Sequence, residues 1–380
     1  MPTRRHVLEL LATTPLMTPG LAACATATLP DPVAAWRNPG AGETDPRRHA
    51  LAHAILAPNP HNRQPWLIDL VGDDAMVLTA DLTRLLPATD PPNRQITIGC
   101  GAFLELLDLA ARQSGHRADF TLWPEGEPQP VLDARPIAHI TLTKDPSVAK
   151  DPLNAQITRR RTNRLKFEPR DPPATALQAI AAAARNDQCA AFIIAETATR
   201  DALRDLTRRA WRLEASTPRT IQESIDLTRI GRAEIARQPD GLVLQGPVME
   251  ALHAVGIVTR AAMANPKSIA YRQQLAFYDP LSASAAAFLA ITAATPSRAD
   301  EIAAGRAYAR ANLTATSLGL SMQPMSQALQ EFPEMAELKT EMDRLTDAPA
   351  AGRLHMLVRI GYADDVPASP RHPFAEHIRA

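Results

Sequence analysis

The chain has no net charge to speak of: 41 basic side chains stand against 41 acidic ones. A dedicated nucleic-acid binder shows a basic excess, so that class is excluded. Cysteine is nearly absent. Cys24, Cys100 and Cys189 are too few, and odd in number, for a disulfide framework. Cys100 and Cys189 read as small buried hydrophobes. There is no Gly-x-Ser-x-Gly elbow and no Cys-x-x-Cys pair, so serine-hydrolase and metal-site readings find no support. Aromatic residues make up only 4%. What is abundant is Ala around periodically spaced Leu and Ile, which favours helix over sheet. Hydrophobic residues at 45% supply a sizeable core. The 34 prolines are spread along the whole chain without a repeat, as many loops and turns require and a low-complexity tract does not. A length of 380 residues accommodates one large or two modest domains.

The N-terminus, MPTRRHVLELLATTPLMTPGLAAC, pairs Arg4 and Arg5 ahead of an apolar run over residues 7–21. Glu9 and the Thr and Pro residues break that run too early for it to span a bilayer. The run ends in Leu21-Ala22-Ala23-Cys24, small residues before a cleavage point. The expectation is a signal segment, 1–24, of the twin-arginine kind that exports folded proteins. The Leu-Ala-Ala-Cys ending resembles a bacterial lipobox, which implies a lipid anchor on Cys24. Residues 25–44 are then a flexible tether, and the protein faces the periplasm.

Beyond the tether, residues 47–56 have helical spacing. APNPHNRQPW (57–66) cannot continue that helix, because each of its three prolines lacks a backbone donor. It reads either as a plain helix stop or as a rigid loop facing a ligand. LIDLVGDDAMVLTADL carries a hairpin signal around Gly72. ITIGCGAFLEL reads as a glycine turn entering a buried helix that stops at Gly115; a third Gly of the dinucleotide fingerprint is missing, since position 104 is Leu. A strand at 137–143 and the polar KDPSVAKDP put a boundary near 150. The second part reads as a helix after Asp171, a strand AAFIIAE, helices 200–216 and 218–237, a loop-rich helical stretch 247–300, a helix ending at Gly319, a strand 353–363 and a Pro-rich arm. Gly101 to Gly115 and Gly305 to Gly319 bracket two helices of equal length, each followed by a strand, as in an internal duplication.

RRRTNRLKF (159–167) packs five basic residues into a short stretch. It is either a solvated basic face or an anion site, since Arg makes bidentate, charge-assisted bonds to phosphate. His49 and His53 stand at a spacing that metals use, but no general base accompanies them and an exposed helix face is the simpler reading.

Taken in order, APNPHNRQPW, RRTNRLKF, GRAYARANLTATSLGL and RIGYA followed by SPRHP resemble the FMN-dependent nitroreductase family over residues 45–375. The match is nearest to its Acg-type, single-chain, two-lobed subfamily. The resemblance implies an α+β fold, a pseudo-dimer of two lobes, 45–150 and 151–375, each with a small antiparallel sheet flanked by long helices. It implies FMN held between the lobes in one composite site. The first lobe keeps the loop; the second keeps the basic segment and has ARNDQCAAF where its own loop would be. Carried over by position, Arg160, Arg161, Thr162 and Arg164 bind the phosphate and ribityl chain. Pro58, Asn59, Pro60 and Asn62 line the flavin, and Gln64, Pro65 and Trp66 hold the loop. Pro324, Met325 and Ser326 lie by the reactive ring edge, with a backbone donor there, and Arg371 lies near the phosphate. Asn59 and Pro60 stand where Ser is usual, and Met325-Ser326 replaces an acidic-glycine pair. The expected activity is electron transfer from a small-molecule donor through FMN to nitroaromatic, quinone-like or other conjugated acceptors. No side chain is assigned as a catalytic acid or base, because the flavin carries the chemistry. The alternatives are a flavin-sequestering protein whose lid, near 247–300, closes the site, and a scaffold that has lost its cofactor. No metal and no nucleic acid is expected, contact with a membrane comes only through Cys24, and the chain acts as a monomer.

Overall fold

The computed structural model describes residues 29–379; Arg4, Arg5 and Cys24 lie outside them. No helix among the described residues is long and apolar enough to cross a membrane. The first half runs α1 (Pro46–Ala54), β1 (Trp66–Val71), β2 (Ala75–Ala80), α2 (Arg94–Gln113), β3 (His116–Leu122) and β4 (Ala138–Lys144). The second half opens with α3 (Ala174–Ala183) and β5 (Cys189–Ile194). A long insertion follows: α4 (Thr197–Ser216), α5 (Pro218–Asp226), β6 (Thr228–Ile230), α6 (Arg232–Arg237), β7 (Leu242–Leu244), α7 (Pro247–Ala254), α8 (Arg260–Ala264), α9 (Ile269–Ala276) and α10 (Tyr278–Ala283). The core pattern then resumes with β8 (Ala287–Ala293), α11 (Arg298–Ser317), β9 (Ser321–Pro324), α12 (Ala336–Leu345) and β10 (Arg353–Gly361), and closes with the short β11 (Ile378–Arg379).

The core strands form two antiparallel sheets of matching order, while β6 and β7 pair by themselves as a parallel two-stranded sheet in the insertion. One is β1-β2-β4-β3, the other β5-β8-β10-β9, so each half lays its first, second, fourth and third strands side by side. In the first sheet β1 and β2 pair from Trp66–Ala80 to Val71–Ala75 around a tight turn in which Gly72 has φ 52°. β11 then adds to the outer edge of β1 in parallel, Ile68 opposite Ile378, so the C-terminal arm of the second half completes the sheet of the first.

The glycines of ITIGCGAF do not make a turn. They lie inside α2, which runs unbroken and is buried on nearly every side. Gly101 faces α11 so closely that an added Cβ would sit 2.2 Å from the Ile302 carbonyl oxygen; one added at Gly305 would sit 2.0 Å from the Ile98 oxygen. Each contact is the other with the halves exchanged, as in an isologous interface. A glycine that permits two helices to touch and one that permits a turn look alike in a sequence, because both only require a missing Cβ.

The helix starts repeat the reciprocity. Arg94, first residue of α2, is buried and donates to the Leu329 and His355 carbonyls of the second half at 2.6 and 2.9 Å. Arg298, first residue of α11, donates to the Pro128 and Pro130 carbonyls of the first half at 3.3 and 3.0 Å. A buried carboxylate, Asp90, and a half-buried one, Glu127, cap the same ends, where backbone N–H groups lack helical partners. Asp90 accepts from the Gln95 and Ile96 amides at 3.1 and 3.0 Å, while Glu127 accepts from the Arg298 and Ala299 amides at 2.9 and 3.0 Å.

Three expectations change. The stretch 247–300 is not all peripheral: β8 lies within it, every one of its residues is buried, and it is an inner strand of the second sheet. A run as apolar as AFLAITA signals an inner strand, but the helical stretches around it hide the signal. The expected helix 218–237 is broken by β6 between α5 and α6. Residues 31–44, expected as flexible tether, are docked: Trp36 is buried, which takes a large apolar ring out of water, and the Arg371 amide donates to Pro32 O.

The insertion has a core of its own, and Glu214 of α4 lies in it with 2% exposure. Its carboxylate accepts from Gln330 Nε2 at 3.0 Å. Burial pushes its pKa from 4.5 up to about 8; the Gln330 bond opposes this and the charge of Glu223 adds to it. Between those two values the folded chain binds a proton that the unfolded chain has released, so stability falls as pH rises through that window. Glu214→Gln is expected to abolish that loss. Its urea midpoint should exceed the parent's by more at about pH 8 than at about pH 5; an equal difference at both would show that Glu214 is ionised.

Candidate functional site

Residues 57–66 join α1 to β1 and are held in a costly shape. His61, Asn62 and Gln64 all have left-handed backbone, with φ of 46, 52 and 51°. Such residues persist only where their surroundings over-determine them, and they gather at ligand sites. The determinants are visible. The Asn59 side-chain oxygen Oδ1 accepts from the Gln64 amide at 2.8 Å, and its side-chain nitrogen donates to Ala57 O at 3.1 Å. Gln64 is fully buried; it donates to Pro239 O at 2.9 Å and accepts from the His372 amide at 2.9 Å. Asn62 donates to Pro370 O at 3.0 Å and accepts from Arg371 at 2.6 Å. Trp66 packs fully buried against Phe103. The loop rests on α2 at Gly99, where an added Cβ would stand 3.1 Å from Asn59 Cβ and 3.2 Å from Pro60 Cδ. The polar side chains of Asn59, Asn62 and Gln64 thus shape the loop, and its backbone is what they orient.

His61 is the exception. Its Nδ1 is buried with no partner among the described residues. Burial, then the charges of Arg164 and Arg63, bring its pKa down to about 4, so the imidazole is neutral near pH 7.

The basic segment meets this loop from the other side. Arg160 is 2% exposed and donates one Nη2 bond, 3.0 Å, to Leu56 O; its Nε and Nη1 have no partner among the described residues. Asn163 pins the segment to the second sheet through Met322 O at 3.0 Å, Ser321 Oγ at 3.1 Å and Asp364 O at 2.8 Å. Thr162 lies beside the buried Tyr308 hydroxyl, which accepts from Asn312 at 2.9 Å. Arg161 is half-buried with Nη1 on the Thr158 and Arg160 carbonyls, and Arg164 is exposed. Burial pushes the Arg160 guanidinium down to about 10, an effect that the charge of Arg161 deepens and Tyr308 opposes. Among the described residues none of these guanidiniums makes an ion pair. Buried cations are ordinarily paired, so the arrangement calls for an anion.

Arg371 joins the cluster in another role. Its Nε donates to Ile55 O at 2.8 Å and its Nη2 to Leu56 O and Ala57 O at 3.1 and 3.0 Å. Its Nη1 reaches Asn62, Ser369 and Pro370. Every donor is engaged, so its guanidinium caps the carbonyl end of α1 instead of being free for a ligand. Met325 is likewise committed: it is fully buried and its amide donates to Leu357 O at 2.8 Å, so it cannot be the expected free backbone donor. Pro324 and Ser326 beside it are half-buried at the end of β9.

The insertion grips the same loop, but through residues 223–241 instead of the expected 247–300. Asp240 is the hub, with Arg229 at 2.7 Å, Arg63 at 3.2 Å and Arg84 at 3.5 Å. Burial alone would raise its pKa, but the His372 ring 3.8 Å away, the hydrogen bonds from Arg229 and the charges of Arg229 and Arg63 bring it to about 2. The Gly241 amide donates to Asn62 O at 3.2 Å, and Glu223 accepts from the Ala88 and Thr89 amides at 2.8 and 3.0 Å. Asp240, Glu223, Asn163, Tyr308 and Trp36 are missed by sequence reasoning, since an Asp in a QPDG turn carries no mark of its distant partners.

In the second half the stretch equivalent to the loop is a short closed turn. Asn186 accepts from the Gln188 and Cys189 amides at 3.0 and 2.7 Å and donates to Ala303 O at 3.1 Å. The His49 and His53 rings lie 4.9 Å apart, tilted by 47°, with Nδ1 atoms on backbone carbonyls, and no three metal-ligating side chains cluster among the described residues.

Residues 157–362 match the Nitroreductase family. An uncharacterized protein of Mycobacterium tuberculosis is 34% identical over 128 residues, 32% of this chain and 35% of that one, so the match spans about a third of that relative's length. A second protein of the same organism, provisionally named an NAD(P)H nitroreductase, is 24% identical over 338 residues, 87% of this chain and 90% of its own. Among solved structures, an FMN-dependent nitroreductase from Mycobacterium smegmatis in complex with NADPH is 20% identical, covering 59% of this chain and 96% of that one with a TM-score of 0.36.

Proposed function

The chain belongs to the nitroreductase family, and from that premise we propose that it is an FMN-dependent oxidoreductase with one composite flavin site per chain. The observation that carries the reading is the meeting of two segments far apart in sequence. The strained loop 57–66 and the basic segment 159–164 converge, with Arg160 buried and two of its nitrogens unpartnered. Those residues fit a phosphomonoester: an anion supplies the missing acceptors and the missing charge together.

FMN, when bound, carries electrons from a reduced small-molecule donor to a nitroaromatic, quinone-like or other conjugated acceptor. The chain's own residues hold and enclose it. Arg160 takes the phosphate, with Arg161 contributing backbone and Arg164 and Thr162 facing the ribityl chain. Pro58, Asn59, Pro60 and Asn62 present loop backbone to the flavin, and Pro324 and Ser326 border the ring. Arg371 acts at one remove: by engaging the carbonyls of residues 55–57 it keeps their negative ends from opposing an anion. The neutral His61 offers a proton-bearing ring at the loop's apex without adding charge. In the second half, the closed turn at Asn186 and Ala303 in the place of Gly99 favour a single site.

The clamp of residues 223–241 on the loop favours a second reading, in which the flavin is held with little turnover. Export and a lipid on Cys24 complete the proposal and place the protein on the periplasmic side as a monomer. One preparation tests these points together. Protein extracted without added cofactor should show oxidised-flavin absorption, FMN near one per chain by mass spectrometry, and an N-terminal peptide acylated at Cys24. A colourless chain that also refuses added FMN sinks the redox reading, and an unmodified N-terminus sinks the anchor. Bleaching by a nicotinamide donor selects the turnover reading, persistence of colour the sequestering one.

A further inference from the structure

Trp36 occupies a position that the two-segment site does not explain. It belongs to a short turn over residues 31–37, ahead of the first helix, and is 6% exposed although Arg37 beside it is exposed. Two hydrogen bonds fasten this turn to the C-terminal arm: Trp36 Nε1 donates to Ser369 O at 2.8 Å, and the Arg371 amide donates to Pro32 O at 2.8 Å. The indole ring receives three guanidiniums. Arg161, Arg371 and Arg160 stand 4.8, 5.1 and 5.6 Å from its centroid.

Three like charges this close repel one another, and burial weakens the screening that water would supply. Neutral carbonyls and the negative face of one indole hold them together. A ring that gathers three cations with no anion among them pre-organises an anion site, because the ligand then does not have to assemble it. The same ring covers the buried Arg160 on the side of the N-terminal turn.

We propose that Trp36 is the retaining wall of the phosphate end of the site: it holds Arg160, Arg161 and Arg371 in place before the ligand arrives and limits the ligand's escape afterwards. This rests on the reading that FMN binds with its phosphate at Arg160. The N-terminal turn is therefore a strap, and release of FMN requires it to lift. Trp36 acts only on ligands that carry the phosphate.

The test is flavin dissociation, followed by the return of flavin fluorescence on dilution, for the parent and for Trp36→Ala, Trp36→Leu and Trp36→Phe, each with FMN and with riboflavin. Trp36→Ala and Trp36→Leu should release FMN about tenfold faster or more, the loss of cation–π contacts at a desolvated site. Leu keeps apolar bulk and so controls for folding, and Phe, which retains a ring, should fall between it and the parent. Riboflavin release should be the same in all four. Unchanged FMN release in the Ala and Leu variants overturns the inference while leaving the FMN site intact. Equal acceleration of FMN and riboflavin also overturns it, because that is general loosening. A parent chain that takes up no FMN overturns both this inference and the reading beneath it.

Discussion

Arg160→Ala combined with Arg164→Ala is expected to yield a colourless protein that folds at least as stably as its parent. The two halves of that expectation have separate causes. Arg160 is buried with two unpartnered nitrogens and no ion pair, so without an anion its charge is a standing cost to the fold. Removing it relieves that cost and loses only the bond to Leu56 O and the contact with the Trp36 ring. With the anion present the sign reverses. Hydrogen bonds between charged groups contribute about 1.5–3 kcal/mol each, so losing two such contacts weakens binding by roughly two to four orders of magnitude. Thermal melting with and without FMN measures both. The parent should gain stability from FMN, and the variant should melt as high as the apo parent and gain nothing. Undiminished stabilisation of the variant by FMN would remove Arg160 and Arg164 from the site.

Gly305→Val is expected to be the most damaging single change in the core. The first added carbon would lie 2.0 Å from the Ile98 carbonyl oxygen, 2.9 Å from the Ala102 nitrogen and 2.9 Å from the Gly101 Cα. All three are backbone atoms of α2, so no rotamer change relieves the clash and the two long helices must separate. Overpacking of this kind costs about 3 kcal/mol or more. The proposed composite site spans the same junction, with the loop on α2 at Gly99 and Tyr308 of α11 beside Thr162. Flavin affinity should therefore fall with stability. Urea titration followed by far-ultraviolet dichroism gives the first effect and flavin retention the second. A variant with the parent's urea midpoint would show that the helices are not in contact at Gly101 and Gly305.

The two long helices that carry the repeated glycines were legible, though not their starts, because equal spacing survives duplication even where side chains diverge. The hairpin at Gly72 and the strand RLHMLVRIG were legible from local alternation and turn chemistry. β8 was harder to see, because a short apolar run between helical stretches does not declare its partners. The contact glycines of α2 were misread as a turn for want of any local difference between the two uses. At the site, the loop and the basic segment stand out as composition, one rich in Pro and Asn, the other in Arg. The duties within them do not. Nothing in SPRHP indicates that Arg371 engages all its donors on α1 carbonyls, and nothing in PMSQ indicates that the Met325 amide bonds to Leu357.

By itself the sequence determined which segments this protein has: two similar α+β halves, one proline-rich loop, one run of guanidiniums and one long insertion. Those are properties of spacing and composition, written along the chain. Only the tertiary structure decided which groups stand unpaired. Whether an arginine is satisfied depends on what every other segment brings within about 3 Å of it, and for Arg160, Arg371 and Asp240 those segments lie on opposite halves and on the insertion. The unpaired nitrogens of Arg160 beneath Trp36 are the outcome of that convergence.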